Sequence, residues 1–347
     1  MPNPNSRPRY LTLAASFAAA LLSACTPKVV VNLGAGSDGS LTERVVLSDE
    51  NAGDAKVAMI DVRGLIMDAR RPGLVGSGSN PVDDLVSRLD LAAKDPSIKA
   101  VILRVNSPGG TVTGSDTMYH EVRHFAETTH KPVVACMGEV AASGGYYLSL
   151  AADHIIAQPT TVTASIGVIV PTMNFSEGLA KIGIVARNVV SGKNKDMAWP
   201  YSPMKDEQYQ VLQTMVNDYY ARFRGLVVAR RPNLAAANVV EATDGRVVTG
   251  ARAKELGLVD ELGGIREAFA AAKARAGVTN ATLVKYAVGD YEPRTAYASS
   301  EPVAPAWPGA SSGDTNLLKL DLSGGPGALS AAAETSGFYF LWLPTMP

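Results

Sequence analysis

The sequence predicts an α/β domain with buried parallel strands, and three observations carry that prediction. Short apolar runs, such as residues 99–105 (KAVILRV) and 132–137, alternate with segments of helical spacing. These runs lack the in–out alternation of half-exposed strands, which marks strands covered on both faces. Turn-forming residues punctuate them, as at Asn106-Ser107-Pro108-Gly109-Gly110, so strand, loop and helix follow in sequence.

In chain order, residues 56–66 (KVAMIDVRGLI) are β-rich and open the core. Residues 80–95 place Leu85, Leu89 and Ala92 at helical spacing. Residues 99–105 read as a buried strand, 113–128 as a helix and 132–137 as a strand. A helix over 144–152 starts at the turn around Ser143, and strands follow at 155–157 and 161–170. Tyr209, Leu212, Val216, Tyr219 and Phe223 predict one long helix over 205–231, and residues 265–276 form another. Beyond residue 291 Pro, Gly, Ser and Ala dominate, which predicts little packed structure. The closing run Phe338-Tyr339-Phe340-Leu341-Trp342-Leu343 is too short to span a bilayer. It fits a strand docked on the core, or a segment touching membrane or a neighbouring subunit.

The 347 residues are 46% hydrophobic and 19% charged, enough for one large or two modest domains. A formal net charge of −1 provides no global basic field for nucleic acid. No metal-ligand cluster, phosphate-binding glycine loop or cofactor fingerprint stands in the sequence. Of the two cysteines, Cys136 sits in an apolar run and reads as a buried strand residue.

Residues 1–24 read as a signal peptide, with Arg7 and Arg9 before a short apolar run over 11–22. Its ending, Leu22-Ser23-Ala24-Cys25, resembles the lipobox of bacterial lipoproteins, which implies lipidation of Cys25; the alternative is an ordinary cleavable signal. Residues 25–55 lack clear periodicity and read as a tether between that anchor and a folded domain over 56–290. The expected location is the cell envelope, on the extracytoplasmic face.

Ala141-Ala142-Ser143-Gly144-Gly145-Tyr146-Tyr147 sets a serine in a turn of small residues. Such a turn leaves room for a substrate backbone and offers glycine N–H groups to an oxyanion. A serine hydroxyl needs a base to become a nucleophile. His120, His124 and His130 cluster on one helix and its end. A helix running from the serine turn would carry His154 about 16 Å away at about 1.5 Å per residue. A lysine is the remaining base, provided it is desolvated. An ordinary lysine, with a pKa of about 10.4, is neutral about once in 2,500 near pH 7. Lowering that pKa by about three units costs about 4 kcal/mol, which burial can supply. Lys181, Lys193, Lys195 and Lys205 all follow the serine, and their residue types alone do not separate them.

The blocks Asn106-Ser107-Pro108-Gly109-Gly110, Ala141 to Tyr147, Thr163-Ala164-Ser165-Ile166-Gly167-Val168 and Ser191-Gly192-Lys193-Asn194-Lys195-Asp196 occur in that order. Gly245-Arg246-Val247-Val248-Thr249-Gly250 and Gly257-Leu258-Val259-Asp260 follow. Over residues 56–275 the series resembles the signal peptide peptidase A family, serine–lysine peptidases with a ClpP/crotonase-like fold of stacked β-β-α units. The resemblance implies Ser143 as nucleophile, Lys195 as general base, Ser165 as the hydroxyl orienting the lysine, and Gly110 and Gly144 as oxyanion donors. Lys193 is then a neighbouring loop charge. Apolar signal peptides are the implied substrates, and a homo-oligomer with sites between subunits follows from the single motif set. Two departures stand out. Ala164 replaces the family's usual glycine, and a lipid replaces the usual transmembrane anchor. With Thr26 after Cys25, the signals that retain lipoproteins in the inner membrane of many Gram-negative bacteria are missing.

Two other functions remain open on sequence. A crotonase-like acyl-CoA enzyme would use paired N–H groups to hold an enolate. A non-catalytic envelope scaffold would keep the fold without turnover.

Overall fold

The computed structural model describes residues 40–70, 79–300 and 338–341. A nine-stranded sheet organises them. Its strands are Leu41–Ser48 (β1), Lys56–Arg63 (β2), Ile98–Ser107 (β3), Val133–Ala142 (β5), His154–Ala157 (β6), Val162–Ala164 (β7), Val247–Thr249 (β8), Glu261–Leu262 (β9) and Thr282–Val288 (β10). They run in the order β1-β10-β2-β3-β5-β6-β9, with β7 on the far half of β5 and β8 beside β7. The ladders from β10 through β2, β3, β5 and β6 to β9 are parallel, whereas β1 and β8 pair antiparallel. Gly109–Thr111 (β4) and Tyr339–Leu341 (β11) form a second, two-stranded sheet.

The missing alternation in the strand sequences has a direct cause. Val101, Leu103 and Val105 of β3 enter the core on one face of the sheet. Ala100 and Ile102 enter a second core on the other face. β2 and β5 divide in the same way, with Ile60 and Ala135 on the first face and Met59 and Cys136 on the second. Each fully buried Val, Leu or Ile contributes about 1.5–3 kcal/mol relative to exposure, so both faces stabilise the sheet.

The first face is covered by helices Pro81–Lys94 (α1), Val112–Thr129 (α2), Gly144–Ser149 (α3) and Asp206–Arg230 (α5). Ile265–Ala276 (α8) covers the second. α1 begins where its sequence says it should. Asn80 Oδ1 accepts the Val82 N–H at 2.9 Å, and Pro81 fills the first helical position, where no N–H is needed. Thr111 caps α2 through the Gly114 N–H. Shorter helices complete the chain at Ser176–Lys181 (α4), Val239–Ala242 (α6) and Gly250–Leu256 (α7).

Three expectations change and one holds. The tether expected over 25–55 loses its last part, because Leu41–Ser48 is a strand paired with β10. The strand expected over 161–170 stops at Ala164, because Ala164 and Ser165 take positive φ values of 64° and 52° that end an extended run. The helix expected over 144–152 closes at Ser149, so His154 opens β6 and does not trail a long helix. In the tail, Tyr339–Leu341 is a strand paired with β4, in line with the docked strand expected for the closing run. Cys25 and the signal segment lie outside the described residues.

Candidate active site

β5 leaves the sheet at Ala142 and hands the chain to Ser143, which caps α3 with φ 53° and ψ −112°. This backbone state is unfavourable for a residue with a Cβ, by about 1–3 kcal/mol, and the surroundings hold it in place. The Ser143 N–H donates to Ala164 O at 2.7 Å, and Ser143 O accepts the Tyr147 N–H at 2.8 Å. Ser143 is 1% exposed, and its Oγ has no hydrogen-bond partner among the described residues. A buried hydroxyl without a protein partner is uncommon, and its place in a strained turn is the setting in which reactive groups are found.

The residues beside it must be small. A Cβ on Gly144 would lie 2.4 Å from Ser115 Oγ and 3.1 Å from the Gly110 nitrogen, so the two glycine backbones adjoin. A Cβ on Gly110 would come within 1.7 Å of Ile66 O. Gly144 is in the first turn of α3, where N–H groups lack intrahelical acceptors. Gly110 is held in β4 by the end of β3, which only Pro108 separates from it. Ser107 Oγ donates to Gly64 O at 2.6 Å and accepts the Gly109 N–H at 3.1 Å, while Asn106 Oδ1 accepts the Val140 N–H at 3.0 Å.

Ser165 stands next to Ala164 and is buried. Its N–H donates to Arg246 O at 2.8 Å, and β8 pairs residue by residue with β7. The Gly245 to Gly250 block therefore fixes Ser165 and, through Ala164 O, the serine elbow. The Gly257 to Asp260 block has a comparable task. Tyr146 Oη donates to Leu258 O at 2.8 Å, and Arg231 clamps Asp260 through two bonds of 2.9 and 2.8 Å. Tyr147 Oη donates to Asp116 Oδ1 at 2.5 Å, and Arg222 of α5 bonds the same carboxylate. Burial, with Asp116 second, pushes the Tyr147 hydroxyl up, so it stays a donor. The Arg246 and Leu258 contacts leave no mark in sequence, because both are made by backbone carbonyls.

No histidine serves Ser143 in this arrangement. His120 lies 3.2 Å from an Arg222 nitrogen, and His154 contacts Glu261 and Arg275. Lys195 is exposed in a largely exposed stretch, 171–204, and makes no hydrogen bond to Ser143. Lys193 bonds Glu207 at 3.0 Å, as a surface charge does. The single chain thus brings together Ser143, Ser165, Gly110 and Gly144 but leaves Lys195 apart. The same stretch exposes large apolar residues, among them Ile182 at 69% and Val185 at 71%. Among the described residues no His, Cys, Asp and Glu group could hold a metal ion.

A serine on a strained strand-to-helix elbow, flanked by glycine N–H groups within a two-faced parallel sheet, defines a serine peptidase of the ClpP/crotonase-like class. Peptidase family S49 matches residues 126–279. A protein of Enterococcus faecium named putative signal peptide peptidase SppA is 34% identical over 238 residues, 69% of this chain and 69% of that one. Putative protease slr0021 of Synechocystis is 35% identical over 208 residues, 60% of this chain and 70% of the relative. Protease 4 of Salmonella typhi is 37% identical over 217 residues, 62% of this chain but 34% of its own length. The chain belongs to peptidase family S49.

Proposed function

We propose that this chain is an envelope peptidase, lipid-anchored through Cys25, which cuts extended apolar peptides such as released signal peptides. Ser143 attacks the peptide carbonyl, and the Gly110 and Gly144 N–H groups receive the developing oxyanion. Lys195 takes the serine proton, delivers it to the leaving amine, and then activates the water that releases the acyl-enzyme. Ser165 orients the lysine amine. The name carried by the Enterococcus relative supports the substrate class.

One observation carries the proposal: a buried Ser143 Oγ without a partner, in a chain whose matching lysine sits on an exposed, apolar stretch. A second copy docking on 171–204 would cover Ile182 and Val185 and bring its serine to this chain's Lys195. Burial at such a junction favours the neutral amine, the form a general base needs. The site is then complete only between subunits.

Subunit mixing tests it. Ser143→Ala and Lys195→Ala are each expected to abolish peptide cleavage while the fold persists. Co-assembling the two inactive variants is expected to restore part of the activity, since some junctions join an intact serine to an intact lysine. Full turnover by Lys195→Ala alone, or no recovery in verified mixed particles, rejects the shared site.

A further inference from the structure

None of residues 171–204 is buried, so the segment that carries Lys195 has no apolar side chain of its own sunk into the core. The first buried residue beyond it is Gln208, 2% exposed, in the first turn of α5. Both hydrogens of its amide are used. Gln208 Nε2 donates to Lys193 O at 2.9 Å and to Asp196 Oδ1 at 3.0 Å. Gln208 Oε1 accepts the Lys205 N–H at 3.1 Å, as the third residue of a helix does in a capping box. The two residues that this amide grips, 193 and 196, bracket Lys195. Backbone turns add to the hold, with the Lys195 N–H donating to Gly192 O and the Trp199 N–H to Asp196 O, both at 3.0 Å.

The choice of partners matters because a general base must be neutral. An opposite charge within about 4–6 Å of a titrating group favours its charged form. The charged groups near Lys195 in the chain are Lys193 and Asp196 on its own segment, and Lys205, Asp206 and Glu207 at the start of α5. Glu207 is engaged by Lys193 at 3.0 Å. Asp206 opens α5, where the helix dipole favours its charge. Asp196, the covalent neighbour of Lys195, is therefore the carboxylate best placed to capture the lysine amine. The Gln208 amide holds it against α5 instead.

We propose that Gln208 is a positioning residue for the reaction: its side-chain amide fixes the turn that presents Lys195 and keeps the Asp196 carboxylate off the lysine amine. The proposal rests on reading Lys195 as the general base. Without the amide, Asp196 is free to pair with its neighbour, and Lys195 keeps its proton to higher pH. Docking of a second copy would strengthen that unwanted pair, because charges attract more strongly once water leaves.

Peptide cleavage by the full-length chain, followed as kcat/KM from about pH 6 to about pH 10, tests this, because the rising limb reports the essential base. Gln208→Met, similar in length and volume, stays buried and donates nothing. Its rising limb is expected about one pH unit above that of the natural chain, so that the rate is about tenfold lower on the limb and little changed above it. Adding Asp196→Asn removes the freed charge and is expected to return the limb to its natural position. Gln208→Glu keeps the shape but adds a second carboxylate, and its limb is expected to rise at least as far. It carries the test if circular dichroism shows the methionine variant unfolded. A rate lowered equally at every pH, with the limb unmoved, shows a structural anchor only and overturns the proposal. So does a raised limb that Asp196→Asn leaves in place. Lys195→Ala is measured in parallel. Near-natural turnover there overturns the base and the proposal together, whereas an inactive Lys195→Ala beside an unmoved limb overturns the Gln208 role alone.

Discussion

Replacing Asp260 by asparagine measures how far the elbow depends on a buttress remote from the reacting atoms. Asp260 accepts two bonds from Arg231 at 2.8 and 2.9 Å and a third from the Ile155 N–H at 2.8 Å. Arg231 is 6% exposed and also holds Gly257 O at 3.0 Å, beside the Leu258 carbonyl that anchors Tyr146. Asparagine keeps the shape but removes the charge, which leaves a buried guanidinium without its counter-ion. Breaking a buried pair from one side costs about 3–5 kcal/mol. At a urea dependence of about 1–3 kcal/mol per molar, the midpoint falls by 1 M or more at pH 7. Acidity supplies a second check. Burial pushes the Asp260 carboxyl up, but the Arg231 hydrogen bonds and charge, with the Ile155 N–H, hold it below its ordinary value. A carboxyl lowered in the folded state stabilises fully above its unfolded pKa of about 3.9, and that contribution is lost as pH falls through the folded value. Urea titrations followed by circular dichroism should therefore show a wide gap between natural and Asp260→Asn chains at pH 7. The gap should narrow below about pH 4. An unmoved midpoint at pH 7, or a gap that does not shrink with acid, refutes the argument.

Two further outcomes follow from single residues. Ala164→Gly should raise the urea midpoint, by about 0.5 kcal/mol in stability, because a left-handed residue with a Cβ costs about 1–2 kcal/mol and glycine's extra unfolded freedom returns only part of that; a lowered midpoint rejects it. Burial first, with nearby acids, pushes the Cys136 thiol up to about 12, so iodoacetamide at pH 8 should leave it unmodified in the folded chain and alkylate it after unfolding, as read by peptide mass.

The elements that the sequence made legible are those whose signals are local. α1 shows its cap, its first-turn proline and its apolar spacing within sixteen residues. β3 and β5 are recognisable as apolar runs because both of their faces are covered. β1 is hard to read because it is an edge strand with no fully buried residue, and it follows directly on the Gly- and Ser-rich run of residues 34–40. The early end of β7 was hidden for another reason. Ala164 and Ser165 adopt left-handed backbone through their bonds to Ser143 and Arg246, and an alanine advertises no such turn. Arg246 and Leu258 support the site with carbonyl groups, which every residue possesses, so residue type could not point to them.

The division between serine and lysine follows the same logic. The serine's half is local: small neighbours, two glycines and a strained elbow all lie within a few residues of Ser143 and are written in one block. The lysine's half needs a dry environment that its own segment lacks, since 171–204 is largely exposed along its length. In one copy of the chain a base of that kind must resemble an ordinary surface lysine, in sequence and in structure alike. What separates Lys195 from Lys193 is the occupation of their amines. Lys193 already holds Glu207, whereas Lys195 has no side-chain partner among the described residues and belongs to a stretch that exposes several apolar side chains. On the proposed reading these exposed residues supply the driving force for docking, and docking in turn strips water from the amine. The free energy of assembly and the activation of the serine would then come from one surface, and weakening that surface at Ile182 or Val185 should lower turnover together with subunit association.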